Sequence, residues 1–150
     1  MTAALYFLNE AGRRGVPLRR SFLHWIDAIP ELRRRRNPEI NLLIVGTREG
    51  RRYNREFRGK DYATNVLSFP NEPLPGEKTA LLGDLVICAP VVAREAVEQG
   101  KHVRDHYAHL TIHGVLHLLG YDHQNATDAE RMEAQERRIL GRLGISDPYA

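Results

Sequence analysis

At 150 residues, with 42% hydrophobic and 27% charged side chains, the chain has the size and composition of one soluble globular domain, residues 1–150, with a substantial core. No apolar run approaches the ~18 residues of a membrane span. The stretch Met1–Glu10 lacks the basic lead of a secretory signal, and the single cysteine, Cys88, excludes an internal disulfide framework and fits a reducing cytoplasm.

The net charge of +3 conceals an asymmetry. Residues 1–60 hold 14 Lys/Arg against 6 Asp/Glu, a net of +8, and residues 61–150 hold 8 against 13, a net of −5. A polyanionic partner and a merely solvated basic face stand about level on charge alone.

In chain order, Ala3–Asn9 is an apolar run of strand length, broken between Gly12 and Pro17. Phe22, Leu23, Ile26, Ile29 and Leu32 then recur at helical steps, with Pro30 kinking or ending the regular part. Arg33–Arg36 comes next as a last-turn cationic run that complements a helix dipole. Ile40–Val45 is β-branched, apolar and reads as a buried strand. Thr47 is placed to cap a helix over about residues 48–57, closed by Gly59 and carrying Arg48, Arg51, Arg52, Arg55 and Arg58.

Asn65–Phe69 reads as a third strand stopped by Pro70, after which residues 70–79 form a proline-rich loop. Gly83–Cys88 is the fourth strand, and Pro90 suits the first turn of a helix running to about Gln99. A second helix spans about residues 102–119. Thr127 to Glu130 has capping-box spacing and opens a last amphipathic helix with Met132, Ile139, Leu140 and Leu143. Strands alternating with helices, then a helical C-terminal half, predict an α/β (α+β) fold: one small four-stranded mixed sheet with helices packed on it.

The chemistry concentrates between His113 and His123. His113 and His117 lie four apart, one turn above each other on a single helix face, so two imidazoles reach one ion. Gly120 can end the helix and let the chain return with His123. Three imidazoles keep one coordination position open for water, the arrangement of a catalytic metal site. Spacing alone also permits other pairs, because His102, His106, His109, His113 and His117 all fall at three- or four-residue steps. Only the 113/117 pair is followed by a glycine stop and a third histidine. His109 is read either as orienting a ligand from behind or as a packed core residue.

The zinc-peptidase helix reads His-Glu-x-x-His with the glutamate as general base. Gly114 stands in that position, so the ligand frame is present and the proteolytic base is missing. A phosphate loop for nucleotides is excluded, because Gly59-Lys60 has Asn54 where the upstream glycine is needed.

Three blocks, Phe57–Pro70, Leu82–Cys88 and His113–His123, together with Asp147-Pro148-Tyr149 near the end, resemble the YbeY family of bacterial rRNA-maturation endoribonucleases over most of the chain. The resemblance implies that His113, His117 and His123 hold one divalent transition-metal ion, Zn2+ first among the candidates. It implies that Arg58 is the functionally important arginine. It further implies processing of the small-subunit rRNA 3′ end, ribosome quality control, and contacts with single-stranded rRNA and with the ribosome or its small-subunit proteins, with no membrane and no nucleotide cofactor involved. Physically, Arg58 suits a fork on a phosphate; without the resemblance, a surface ion pair is the ordinary role for such a residue. Two other readings stay open: a zincin-like metallopeptidase, and a non-catalytic ribosome-assembly factor whose metal is structural.

Overall fold

The computed structural model describes residues 3–150. Four strands, β1 (Ala4–Asn9), β2 (Glu39–Val45), β3 (Val66–Pro70) and β4 (Leu81–Cys88), form one sheet in the order β1-β2-β4-β3. β1 and β4 each pair with β2 in parallel, and β3 runs antiparallel to β4 at the edge, so the sheet is mixed as expected. Pro70 does not stop β3 but is its last residue, opposite Gly83. An edge strand tolerates the missing N–H.

Alternation along the strands divides the apolar residues between two faces. Ile40, Leu42 and Ile44 of β2, with Leu85 and Ile87 of β4, join the main core. Val45, Val86, Cys88 and Leu67 form a smaller cluster on the opposite face. The main core is closed by α1 (Arg19–Asp27), through Phe22, Trp25 and Ile26, and by α4 (Val103–Leu118), through Tyr107, Ile112, Val115 and Leu116. Phe22 meets both Trp25 and Tyr107 edge-on, at centroid distances of 5.3 and 5.8 Å. The smaller cluster is covered by α2 (Thr47–Arg58), with α3 (Ala89–Glu98) adding Val91.

α4 is buried on most of its sides because it is enclosed by the sheet, α1, α3 and α5 (Ala126–Arg142). Gly114 makes the approach to the sheet possible. A Cβ built there would lie 2.8 Å from Leu85 Cδ2 and 3.3 Å from Ser68 Oγ.

Local details differ from the sequence expectations. The first helical pattern splits at Pro30 into α1 and a 3-10 turn, Pro30–Arg34. The four-arginine run is divided accordingly: Arg33 and Arg34 end that turn, and Arg35 and Arg36 lie in the bend leading to β2. α2 starts at Thr47, with Gly46 in the capping position and no side-chain cap. The last helix is capped by Asn125, whose side chain accepts from the Asp128 N–H at 2.9 Å, and not by a Thr127 box. Asn suits the extended capping conformation and reaches a free N–H of the first turn. Asp84, exposed on β4, accepts from Asn41 Nδ2 at 2.7 Å.

Candidate metal centre

α4 delivers His113 and His117 on one face, and the turn after it brings back His123. Gly120, at φ +102°, takes a backbone conformation that L side chains rarely adopt, and His123 N–H is held by Asp122 Oδ1 at 2.7 Å. Ring centroids lie 4.9 Å (113–117), 5.6 Å (113–123) and 4.8 Å (117–123) apart. Each ring offers a nitrogen, and these nitrogens all lie within 4.8 Å of one another, a spacing that suits ligation of a single ion. Burial, reinforced by the His113 and His123 imidazoles, pushes His117 below the usual histidine value. That favours the neutral imidazole a metal requires.

The histidine ladder of α4 is sorted by what each member faces. His106 is buried and pairs through Nε2 with Glu95 Oε1 at 2.8 Å, away from the three-histidine group. His109 turns to α5, where its Nε2 lies 2.8 Å from Glu136 Oε1. The same carboxylate oxygen lies 3.2 Å from His113 Nδ1. With Nδ1 engaged there, Nε2 is the His113 nitrogen left for an ion.

Sequence reasoning missed Glu136. It is fully buried and sits on the apolar stripe of α5 between Met132 and Ile139/Leu140. An acid in such a stripe is the signal that could have found it. Burial works to raise its pKa, but hydrogen bonds from His109 and His113 outweigh this and bring it down to about 2.

A groove of about 560 Å³ opens over the three histidines and is lined also by Arg58, Phe57, Asn65, Ser68 and Tyr149. Arg58 reaches it from the last turn of α2 and is exposed. Its neighbours on that helix are tied up: Arg51 pairs with Asp61 at 2.8 Å, Arg52 with Glu49 at 2.7 Å, and Arg55 with Asp61 at 3.7 Å. Among the described residues, Arg58 has no carboxylate partner. The ordinary ion-pair role expected for such a residue is therefore not the one it occupies. Beside it, Phe57 is 61% exposed and packs edge-on against Phe69 at 5.2 Å.

Tyr121 donates to Glu31 Oε2 at 2.8 Å and ties the turn to the Pro30–Arg34 segment. Gly114 faces Leu85 and Ser68, so a side chain placed there would start into the packed contact between α4 and the sheet. The peptidase reading thus lacks its base, and even a Cβ at that position meets Leu85 at 2.8 Å.

The family described as Endoribonuclease YbeY matches residues 9–144. A curated relative of that name from Stenotrophomonas maltophilia (strain K279a) is 58% identical over 142 residues, covering 92% of this chain and 88% of its own. Another, from Alkalilimnicola ehrlichii, is 56% identical, covering 93% and 86%. Among solved structures, the solution structure of the Thermotoga maritima protein TM1509 superposes with a TM-score of 0.59 over 96% of this chain and 97% of its own; at 23% identity the likeness speaks to the fold. With a family match across the site-bearing elements and relatives above half identity over nearly the whole length, the chain belongs to the YbeY family of endoribonucleases.

Proposed function

We propose that this endoribonuclease is metal-dependent and cuts single-stranded RNA in the cytoplasm. We further propose that it matures the 3′ end of small-subunit rRNA and serves ribosome quality control through contacts with the ribosome, acting as one domain over residues 1–150. One observation carries the reading: three imidazoles able to share an ion and an arginine with no carboxylate partner line one groove.

His113, His117 and His123 fit a borderline-soft divalent ion, Zn2+ first, and a three-nitrogen set is the catalytic rather than the structural kind. Such an ion supplies Lewis acidity toward water and toward a phosphoryl oxygen. The chain's own residues do the rest. Arg58 grips the scissile phosphate with its planar fork and stabilises charge that develops on it. Exposed Phe57 offers a ring on which an adjoining unpaired base can stack, which favours single strands over duplex. The exposed Arg33–Arg36 run gives a further cationic surface for rRNA. Among the described residues no helix is long and apolar enough to cross a membrane, and Cys88 is a buried free thiol, consistent with a reducing compartment.

A paired assay tests this. Wild type and His117→Ala are incubated with labelled single-stranded RNA and with an unfolded protein substrate, with and without a chelator, after circular dichroism has verified the fold. The expected outcome is RNA cleavage lost both in the folded variant and in the chelated wild type, with the protein substrate intact throughout. Equal RNA cleavage by variant and wild type would identify a contaminating nuclease. An unfolded His117→Ala would favour a structural metal in a binding factor.

A further inference from the structure

Glu136 is a fully buried carboxylate at the end of a chain of contacts that reaches the C-terminus. Burying such a charge without hydrogen-bond donors is costly, so the donors around it are informative. Tyr149 Oη lies 3.0 and 3.1 Å from its two oxygens, His109 Nε2 2.8 Å and His113 Nδ1 3.2 Å from Oε1. All three partners satisfy the carboxylate only by donating.

Tyr149 arrives from outside the helical frame. After α5 the chain doubles back, and Ile145 N–H bonds Leu140 O at 2.9 Å. Arg137 Nε holds Asp147 Oδ2 at 3.0 Å, and the Arg137 guanidinium lies over the Tyr149 ring at 5.2 Å. The ring meets His109 edge-on at 5.4 Å, and Tyr149 forms part of the groove wall. The Asp147-Pro148-Tyr149 segment is therefore docked against the back of the three-histidine group.

We propose that Glu136 and Tyr149 are positioning residues for the metal centre: Tyr149 holds the Glu136 carboxylate, and Glu136 holds the Nδ1–H of His113, which presents Nε2 to the ion. The proposal rests on the three-histidine site described above. It assigns the C-terminal segment a part in the centre, and it assigns His113 one tautomer before any ion arrives, since a ring that donates from Nδ1 keeps its lone pair on Nε2. A carboxylate behind a ligating imidazole raises its basicity and fixes its orientation. His109, Glu136 and His113 also lie close enough to form an ion site of their own. The four donor contacts to Glu136 instead occupy both of its oxygens.

The test uses the full chain, its Glu136→Gln and Tyr149→Phe variants, and Zn2+ or Co2+ alone as probe. Affinity and stoichiometry are measured by competition with a chromophoric chelator, well below the melting temperature, and long-range ¹⁵N–¹H spectra of the metal-free proteins report the His113 tautomer. The expected result is one ion per chain, with affinity about 10- to 100-fold weaker in Glu136→Gln, a smaller loss in Tyr149→Phe, and a wild-type Nδ1–H tautomer that becomes mixed in Glu136→Gln. Folded variants with wild-type affinity and tautomer, lower only in melting temperature, would overturn the proposal, as would two ions per chain. Tyr149 lies near the chain end and is partly exposed, so its variant reports even where Glu136→Gln fails to fold. If the wild type binds no ion, the metal reading fails, and the His113 tautomer still decides the role of the pair.

Discussion

Arg58 differs from Arg51, Arg52 and Arg55 of α2 in what it lacks. Arg51, Arg52 and Arg55 are held by Asp61, Glu49 and Glu56, whereas Arg58 stands at the groove without a carboxylate. Arg58→Ala is expected to lower kcat on single-stranded RNA by about 10²- to 10³-fold, the usual loss when one donor to a developing oxyanion is removed, and to leave the melting temperature nearly unchanged. Arg58→Lys recovers only part, since an ammonium cannot fork a phosphate. Steady-state kinetics beside a thermal melt check this, and a wild-type kcat in Arg58→Ala would return the residue to an ordinary surface role. Gly114 makes the opposite kind of prediction. Gly114→Glu restores the peptidase helix pattern but forces a carboxyl into the Leu85–Ser68 contact. A loss of about 3 kcal/mol or more in urea denaturation is expected from overpacking and desolvation, with no proteolysis gained. A stable, proteolytic Gly114→Glu protein would contradict this packing account.

Among the elements, α5 matters for function because it carries Glu136 to the back of His113, and its first turn sets its start. Asn125 both accepts from Asp128 N–H and donates to Asp128 Oδ2 at 2.9 Å, while Thr127 is already inside the helix. Asn125→Ala should therefore cost about 1 kcal/mol, and Thr127→Ala no more than about 0.5 kcal/mol. Chemical denaturation of the two variants separates them, and the reverse ranking would reinstate the capping box that the spacing of Thr127 and Glu130 suggested. That spacing misled because two nearby residues can each serve as the start of a helix on sequence grounds; the chain direction at Asn125, φ −129° and ψ 167°, chooses between them.

For the molecule as a unit, His106 couples folding to pH. It is buried between α4 and α3, bonded to Glu95, with its Nδ1 left without a partner. Burial lowers its pKa from 6.5, partly opposed by Glu95. A base whose folded pKa lies below its unfolded value takes up its proton more readily in the unfolded chain. Stability from this source is thus complete above about pH 6.5 and falls as the pH drops through that value. Thermal melts in a chelator, from neutral to mildly acid pH, should show this decline, and it should be shallower in His106→Gln. An identical pH slope in that variant would remove His106 from the account.

Features that depend on neighbours along the chain were legible from the residues alone. The strands come from apolar, β-branched runs and α4 from its unbroken helical pattern; the His113/His117 pair comes from helical period, and the return to His123 from a glycine free to adopt a positive φ. These are short-range consequences of backbone geometry, so they can be read without the fold. Packing in three dimensions set everything that depends on which surfaces meet. It divided His106, His109, His113 and His117 among Glu95, Glu136 and one another, released Arg58 from the pairing its neighbours accept, and brought Glu136 and Tyr149 behind His113 from 23 and 36 residues away. Those contacts arise because an enclosed helix must satisfy each polar group with whatever packs against it, and no local pattern encodes the identity of that partner.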